Sequence, residues 1–208
     1  MVNPDEMIDH FGADAVRLYE MFMGPLEAMK PWNTRGVEGI TRFLDRVWRL
    51  VVDDEGRLTG SLTGGAPSPE IDRLLHQTIR KVTEDIEALH FNTAIAQLMV
   101  YVNALTPLER RPRAAIEPLV LVLSPFAPHL CEELWQRLGH AKTLAYETWP
   151  KWDPARVIEE SVTFAVQING KLRATLELPR DIAQAEAQQA ALGDERVRRY
   201  VDGERSAR

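Results

Sequence analysis

The residues of this sequence best suited to ligand chemistry are four arginines at helical spacing: Arg35, Arg42, Arg46 and Arg49. An α-helix turns by about 100° per residue, so their side chains fall within about 60° of one another. The planar guanidinium fork matches phosphate oxygens, and such a stripe could follow an RNA backbone electrostatically. A solvated helix face, with Glu38 and Asp45 as intrahelical ion-pair partners, explains the same pattern without a ligand.

A second basic group lies in the run PLERRPR, residues 107–113. Pro107 ends the preceding helical pattern, which places Arg110, Arg111 and Arg113 in a loop between two helices. An exposed basic loop can contact phosphate, and we take Arg110 and Arg111 as candidate RNA contacts. An ordinary solvated loop remains the alternative.

A third basic pair belongs to a predicted hairpin. Lys171 and Arg173 are two residues apart on one strand, and alternate residues of a strand share a face. Gln167 and Asn169 lie across the predicted turn and would extend this pair into a polar, RNA-facing patch. The alternative is the ordinary solvent-facing side of a sheet.

Signatures of catalysis and of metal binding are missing from the sequence. It has no GxxxxGK[ST] phosphate loop, no GxSxG elbow and no HExxH pair. Cys131 is the only cysteine, and no activating base is near it in sequence. His129 and Glu133 share a helix face, but a metal site needs a further ligand. We therefore predict no catalytic residue and no metal site.

Apolar residues recur at steps of three and four through most of the chain, which predicts helices. The predicted helices cover residues 4–11, 13–23, 34–52, 69–89, 93–105, 114–123 and 128–139, with Asn3, Ser68 and Asn92 as N-caps. Residues 53–69 are rich in Gly, Ser, Thr and Pro and predict a loop or disordered linker. Alternation through 162–168 and 171–178 around Asn169-Gly170 predicts a hairpin, followed by helices at 181–192 and 194–201.

Composition bounds the possible functions. Hydrophobic residues make up 45% and charged residues 27% of the chain, as in ordinary soluble globular proteins. A net charge of −6 argues against a dedicated nucleic-acid-binding protein, although residues 30–50 hold five basic and two acidic side chains. No apolar run approaches about 20 residues and no secretory signal begins the chain, so we expect a cytoplasmic protein without a membrane span.

Two runs carry a resemblance to a known family: PWNTRGVEGITRFLDRVWRL, residues 31–50, and SPFAPHLCEELW, residues 124–135. They resemble the leucyl-tRNA synthetase family, in the part that follows the catalytic domain. The second run is shared in style with the isoleucine, valine and methionine synthetases, whereas the first looks specific to the leucine enzymes. Residues 2–27, 82–99 and 166–179 agree with the same family in the same order.

The resemblance implies a mainly α fold, an antiparallel helical bundle of the class I synthetase anticodon-binding type, followed by a small, incomplete α+β domain. Residues 1–30 would form a helical connector after the catalytic domain, 31–153 the anticodon-binding bundle, and 154–208 a truncated C-terminal domain. The implied partners are leucine-accepting tRNA and the missing catalytic domain. The implied contact with tRNA is to its backbone.

The family attaches leucine to its tRNA with ATP, yet its HIGH and KMSKS signatures, its editing domain and its zinc module are absent here. ATP would therefore be bound by the missing catalytic domain, no cofactor belongs to this fragment, and the fragment alone should be inactive. A non-catalytic helical module that binds a protein partner is the alternative from a different class. Salt separates the two, because RNA binding weakens steeply with salt and apolar docking does not. An isoleucine or valine synthetase is a lesser alternative.

Overall fold

The structure, a computed structural model, describes residues 2–158, 161–179 and 182–205 of the chain. The chain divides into two compact units, Met1–Val157 and Ile158–Arg208. Helices dominate the described residues, and the predicted mainly α fold with a small α+β part is confirmed. The finer division into residues 1–30, 31–153 and 154–208 stays a prediction.

Unit 1 is helical. Its helices are α1 Pro4–Phe11, α2 Ala13–Phe22, α3 Thr34–Val51, α4 Pro69–Glu87, α5 Phe91–Leu105, α6 Arg113–Leu123, α7 Pro128–Arg137 and α8 Pro154–Val157. A 3-10 turn, Leu144–Tyr146, follows α7. Short connections join α4 to α5 and α6 to α7, and each connection returns the chain antiparallel to the preceding helix. None of the described helices is both long and apolar enough to cross a bilayer.

Side-chain caps explain where several of these helices begin. The side chains of Asn3, Asn33 and Ser68 each accept a hydrogen bond from a backbone N–H in the first turn of α1, α3 and α4. The predicted cap of α5 at Asn92 is wrong. His90 occupies the N-cap position, two residues earlier, where its N–H donates to Asp85 O at 2.7 Å.

One hydrophobic core holds unit 1 together. On α3, Val37, Ile40, Phe43 and Val47 are all buried, so this face of the helix points inward and fixes its rotation about its axis. Burial of each such side chain contributes about 1.5–3 kcal/mol. The hydroxyl of Tyr101, which is fully buried in this core, donates to Ala115 O at 3.0 Å.

The Gly- and Ser-rich segment between α3 and α4 is a loop that is tied to the bundle. It contains a short strand, β1 Leu62–Thr63, which pairs in parallel with β2 Arg111–Pro112. Sequence periodicity could not predict this pair, because each strand has two residues and the partners lie 49 positions apart.

Unit 2 begins with an antiparallel hairpin, β3 Ser161–Ile168 and β4 Lys171–Pro179, followed by α9 Gln184–Gly193 and α10 Glu195–Arg205. Asn169 and Gly170 have φ of 51° and 75°, which a type I′ turn requires, and the predicted hairpin is confirmed. A bulge interrupts the register: Gln167 pairs with Leu172 and Val166 with Ala174. Arg173 is therefore the extra residue of β4.

A candidate nucleic-acid interface

The arginines of α3 are placed by the burial of the opposite side of the helix. With Phe43 and Val47 in the core, Arg35, Arg42 and Arg49 lie on the outer face and are exposed. At about 1.5 Å of rise per residue, Arg35 and Arg49 stand roughly 21 Å apart along the helix axis. The structure thus brings these three onto one surface, which we call the α3 stripe.

No acceptor within the described part of the chain binds the guanidinium groups of the α3 stripe. Neither Glu38 nor Asp45 forms an ion pair there, so the intrahelical pairs that would account for a merely solvated face are not made among these residues. Other helices differ: Arg113 lies 2.7 Å from Glu117, and Arg137 lies 2.6 Å from Glu133. The charges of the α3 stripe remain available to an external anion.

Arg46 departs from the prediction that it is solvent-exposed. Its side chain is half-buried, and its Nε is buried without a hydrogen-bond partner in the described part of the chain. The reason is its angular position, because Arg46 neighbours the buried Phe43 and Leu50 on the helix surface. Arg46 therefore stands at the border between the core and the α3 stripe.

The loop arginines have different surroundings from one another. Arg110 is exposed. Arg111 is half-buried and donates to Leu105 O at 3.1 Å, Thr106 O at 2.8 Å and Ser61 Oγ at 2.8 Å, and burial lowers the pKa of its guanidinium. Three of its five N–H donors are committed to the protein, which gives Arg111 a structural role, and its contact with phosphate stays a prediction.

The structure also differs from what the sequence predicts for the hairpin pair, Lys171 and Arg173. Lys171 is exposed, whereas Arg173 is half-buried, with its guanidinium carbon 4.0 Å from the centre of the Tyr200 ring. Because Arg173 is the bulged residue, it does not share a regular strand face with Lys171. Sequence reasoning passed over Arg199, an exposed residue of α10 in the same unit; the basic run RVRR could have pointed to it.

Apart from these positive charges, no arrangement of side chains suited to metal binding or to a reactive thiol is evident in the described residues. They contain no group of three His, Cys, Asp or Glu side chains able to hold a metal ion. His129 Nδ1 lies 2.8 Å from Asp14 Oδ1, so this imidazole contacts a carboxylate of α2. Burial, followed by the charges of Asp14 and Glu132, raises the pKa of the Cys131 thiol, which keeps this cysteine protonated and unreactive.

Residues 69–188, more than half of the chain, match the family described as the anticodon-binding domain of tRNA ligase. The chain belongs to this family of anticodon-binding domains, and the resemblance found in the sequence is confirmed. The matched residues begin at α4, so the α3 stripe precedes them.

Two similar proteins are both leucine–tRNA ligases. The chain is 50% identical over 204 residues to a leucine–tRNA ligase of Rhodopirellula baltica, which covers 97% of this chain and 22% of that protein. It is 51% identical over 203 residues to leucine–tRNA ligase 1 of Rhizobium johnstonii, covering 98% and 24%. The chain thus spans less than a quarter of the length of these relatives.

A solved structure agrees with this comparison. The agnB2 LeuRS of Agrobacterium radiobacter K84, crystallised as a ternary complex with tRNA and LeuAMS, superposes with a TM-score of 0.72 at 32% identity. The match covers 97% of this chain and 28% of that one. It therefore includes α1 to α3 as well as the residues that match the family.

Proposed function

We propose that this chain is the tRNA-positioning part of a leucine–tRNA ligase, the enzyme that attaches leucine to its tRNA with ATP. Its partners are leucine-accepting tRNA and the catalytic domain of the same enzyme, which binds ATP, and the setting is the cytoplasm. Residues 1–30 connect to that domain, 31–153 form the anticodon-binding bundle, and 154–208 belong to the C-terminal domain. Support comes from the two leucine–tRNA ligases and from the LeuRS bound to tRNA.

The observation that carries the mode of binding is the α3 stripe. Three exposed guanidinium groups share one helix face and have no ion-pair partner among the described residues, in a chain whose net charge is −6. Each group suits a phosphate oxygen, and backbone contacts of this kind fix orientation without selecting a base sequence. In this proposal Arg35, Arg42 and Arg49 hold the RNA backbone, and Arg110 and Lys171 are weaker, separate candidates.

The test changes Arg35, Arg42 and Arg49 together to Ala and measures binding of the 208-residue chain to a leucine-accepting tRNA transcript over a salt series. Three lost phosphate contacts should reduce the slope of log K against log salt by about 2–3 units. A matched control changes three exposed cations elsewhere in unit 1, Arg57, Lys142 and Lys151, to Ala. Both variants lose the same net charge, so a difference between their salt slopes reflects the position of the lost charges. The control also loses the ion pairs of Arg57 with Asp53 and Glu55.

A folded α3 variant that keeps the wild-type affinity and slope, or that matches its control, would contradict the proposed contact. Binding that does not depend on salt even in the wild-type chain would favour the protein-interaction module instead. The chain by itself is expected to show no leucine-dependent pyrophosphate exchange, because the HIGH and KMSKS signatures are absent from its sequence.

A further inference from the structure

The first turn of α3 lies directly against an aromatic ring of α2. A methyl group on Gly36 would lie 2.4 Å from Tyr19 Cε2 and 2.9 Å from its Cζ, closer than carbon atoms approach in proteins. Tyr19 is only 6% exposed, so its ring has no free space into which it could turn. Glycine is thus required at position 36 by the close approach of the two helices.

Two further contacts of Tyr19 fix the start of α3. The Asn33 N–H donates to the Tyr19 hydroxyl at 3.1 Å, and the Trp32 ring meets the Tyr19 ring edge to face with centroids 5.0 Å apart. Asn33 is the N-cap of α3. Tyr19 therefore contacts the N-cap Asn33, the preceding Trp32, and Gly36 in the first turn of α3.

The helix that carries Tyr19 is itself anchored to unit 1. The Asp14 carboxylate accepts from Leu130 N at 2.7 Å, which satisfies a free N–H at the start of α7 in the absence of a side-chain cap of its own. Arg17 donates to Pro125 O at 3.0 Å. Tyr19 thus projects from a helix that hydrogen bonds fix to the connection between α6 and α7.

We propose that the contact between Tyr19 and Gly36 is a positioning element of the α3 stripe: it sets the place of the first turn of α3 and, with it, the place of the Arg35 guanidinium. Tyr19 touches no RNA in this proposal and acts through Arg35. The proposal rests on the proposed function, since it assigns a purpose to the position of an RNA contact.

The experiment is a pair of double-mutant cycles on binding of the 208-residue chain to the leucine-accepting tRNA transcript. Gly36→Ala should displace the first turn, so that Arg35→Ala, which weakens binding in the wild-type background, has little further effect in the Gly36→Ala background. Arg49→Ala, about four turns away, should cost the same factor in both backgrounds. A merely structural role of the contact would alter stability and leave the two arginines equivalent.

Gly39→Ala is the matched control, because a methyl group there meets only Arg42 Nη2, at 3.9 Å. It should leave the effects of Arg35→Ala and Arg49→Ala unchanged. Tyr19→Phe provides a second route if Gly36→Ala fails to fold: it keeps the ring, removes the acceptor of the Asn33 N–H, and should reduce the Arg35→Ala effect in part.

The outcomes separate this inference from the proposed function. If Arg35→Ala weakens binding by the same factor in the wild-type, Gly36→Ala and Tyr19→Phe backgrounds, the positioning role is wrong and the RNA contact stands. If Arg35→Ala has no effect in the wild-type background, Arg35 is no RNA contact and both proposals fail at this residue. Loss of the Arg35→Ala effect in the Gly36→Ala background, with a partial reduction in the Tyr19→Phe background and none in the Gly39→Ala background, supports the inference.

Discussion

Two arginine-rich regions of unit 1 have similar sequences and opposite surroundings. On α3, the guanidinium groups of Arg35, Arg42 and Arg49 are exposed and have no hydrogen-bond acceptor among the described residues. In the connection between α5 and α6, by contrast, Arg111 makes three hydrogen bonds to the protein. Arg113, which the sequence placed in this loop, is the first residue of α6 and binds Glu117 and Leu138 O. The positive charges of one region are available to a ligand, and most of those of the other are not.

The difference follows from the supply of backbone acceptors. A helix interior has none to spare, because its carbonyls already accept bonds within the helix. The last carbonyls of a helix lack such partners, and Leu105 and Thr106 stand at the end of α5. Arg111 satisfies both of them, as basic side chains near a helix C-terminus often do.

The largest effect on stability is expected at Arg111. Changing Arg111 to Ala removes three hydrogen bonds and takes a donor from the carbonyls of Leu105 and Thr106, of which Leu105 O keeps the Leu108 N–H at 3.2 Å. The loss should lower the free energy of unfolding by about 2–3 kcal/mol. Urea denaturation followed by circular dichroism measures this. Binding to tRNA should be unchanged at temperatures where the variant is folded.

Arg110→Ala is the matched control for Arg111→Ala. Arg110 is the preceding residue and is exposed, and its substitution removes the same charge. Its stability should stay within about 0.5 kcal/mol of wild type. If Arg111→Ala weakened tRNA binding as strongly as the triple variant of the α3 stripe while keeping its stability, the distinction between the two regions would be wrong.

Although it did not predict α8 Pro154–Val157 or the 3-10 turn Leu144–Tyr146, the sequence was sufficient to predict the longer helices. Local signals are strong there: Asn3 and Ser68 cap α1 and α4, and the apolar repeat of α3 identifies Phe43 and Val47 as core residues. The arginine stripe follows from the same repeat. Spacing alone could not show that Glu38 and Asp45 form no ion pair with these arginines among the described residues. Side-chain rotamers decide whether residues one turn apart come into contact.

What the sequence could not predict depends on contacts between distant residues. Arg111 acquires its role from Ser61, fifty positions earlier, and Tyr19 reaches Gly36 across a loop. In unit 2, one bulge at Arg173 breaks an alternation that looked regular and turns that side chain toward Tyr200. No local pattern encodes any of these pairings.

A smaller effect on stability should separate the two glycines of α3. Gly36→Ala brings a methyl group into overlap with the Tyr19 ring and should lower the free energy of unfolding by about 1–3 kcal/mol. Gly39→Ala makes only an ordinary van der Waals contact, with Arg42 Nη2 at 3.9 Å, and should raise the free energy of unfolding by about 0.5–1 kcal/mol, because alanine has the higher helix propensity. Urea denaturation of both variants measures the difference. Equal effects of the same sign would show that Tyr19 does not limit the space at position 36.

The smallest expected effect concerns Glu38, an acidic residue beside the α3 stripe. Glu38 is exposed on the same side of α3 as the stripe and has no ion-pair partner among the described residues, so it should repel a phosphate bound there. Glu38→Gln should strengthen tRNA binding about twofold at low salt, as expected for one screened charge roughly 7 Å away, and less at high salt.

Glu109→Gln is the control. It removes the same charge beside Arg110 and should give no gain in binding, since the RNA backbone is held at α3 in our proposal. If Glu38→Gln instead lowered stability and left binding unchanged, Glu38 would be an ion-pair partner of Arg35 or Arg42 in solution. The stripe would then be as internally satisfied as Arg111.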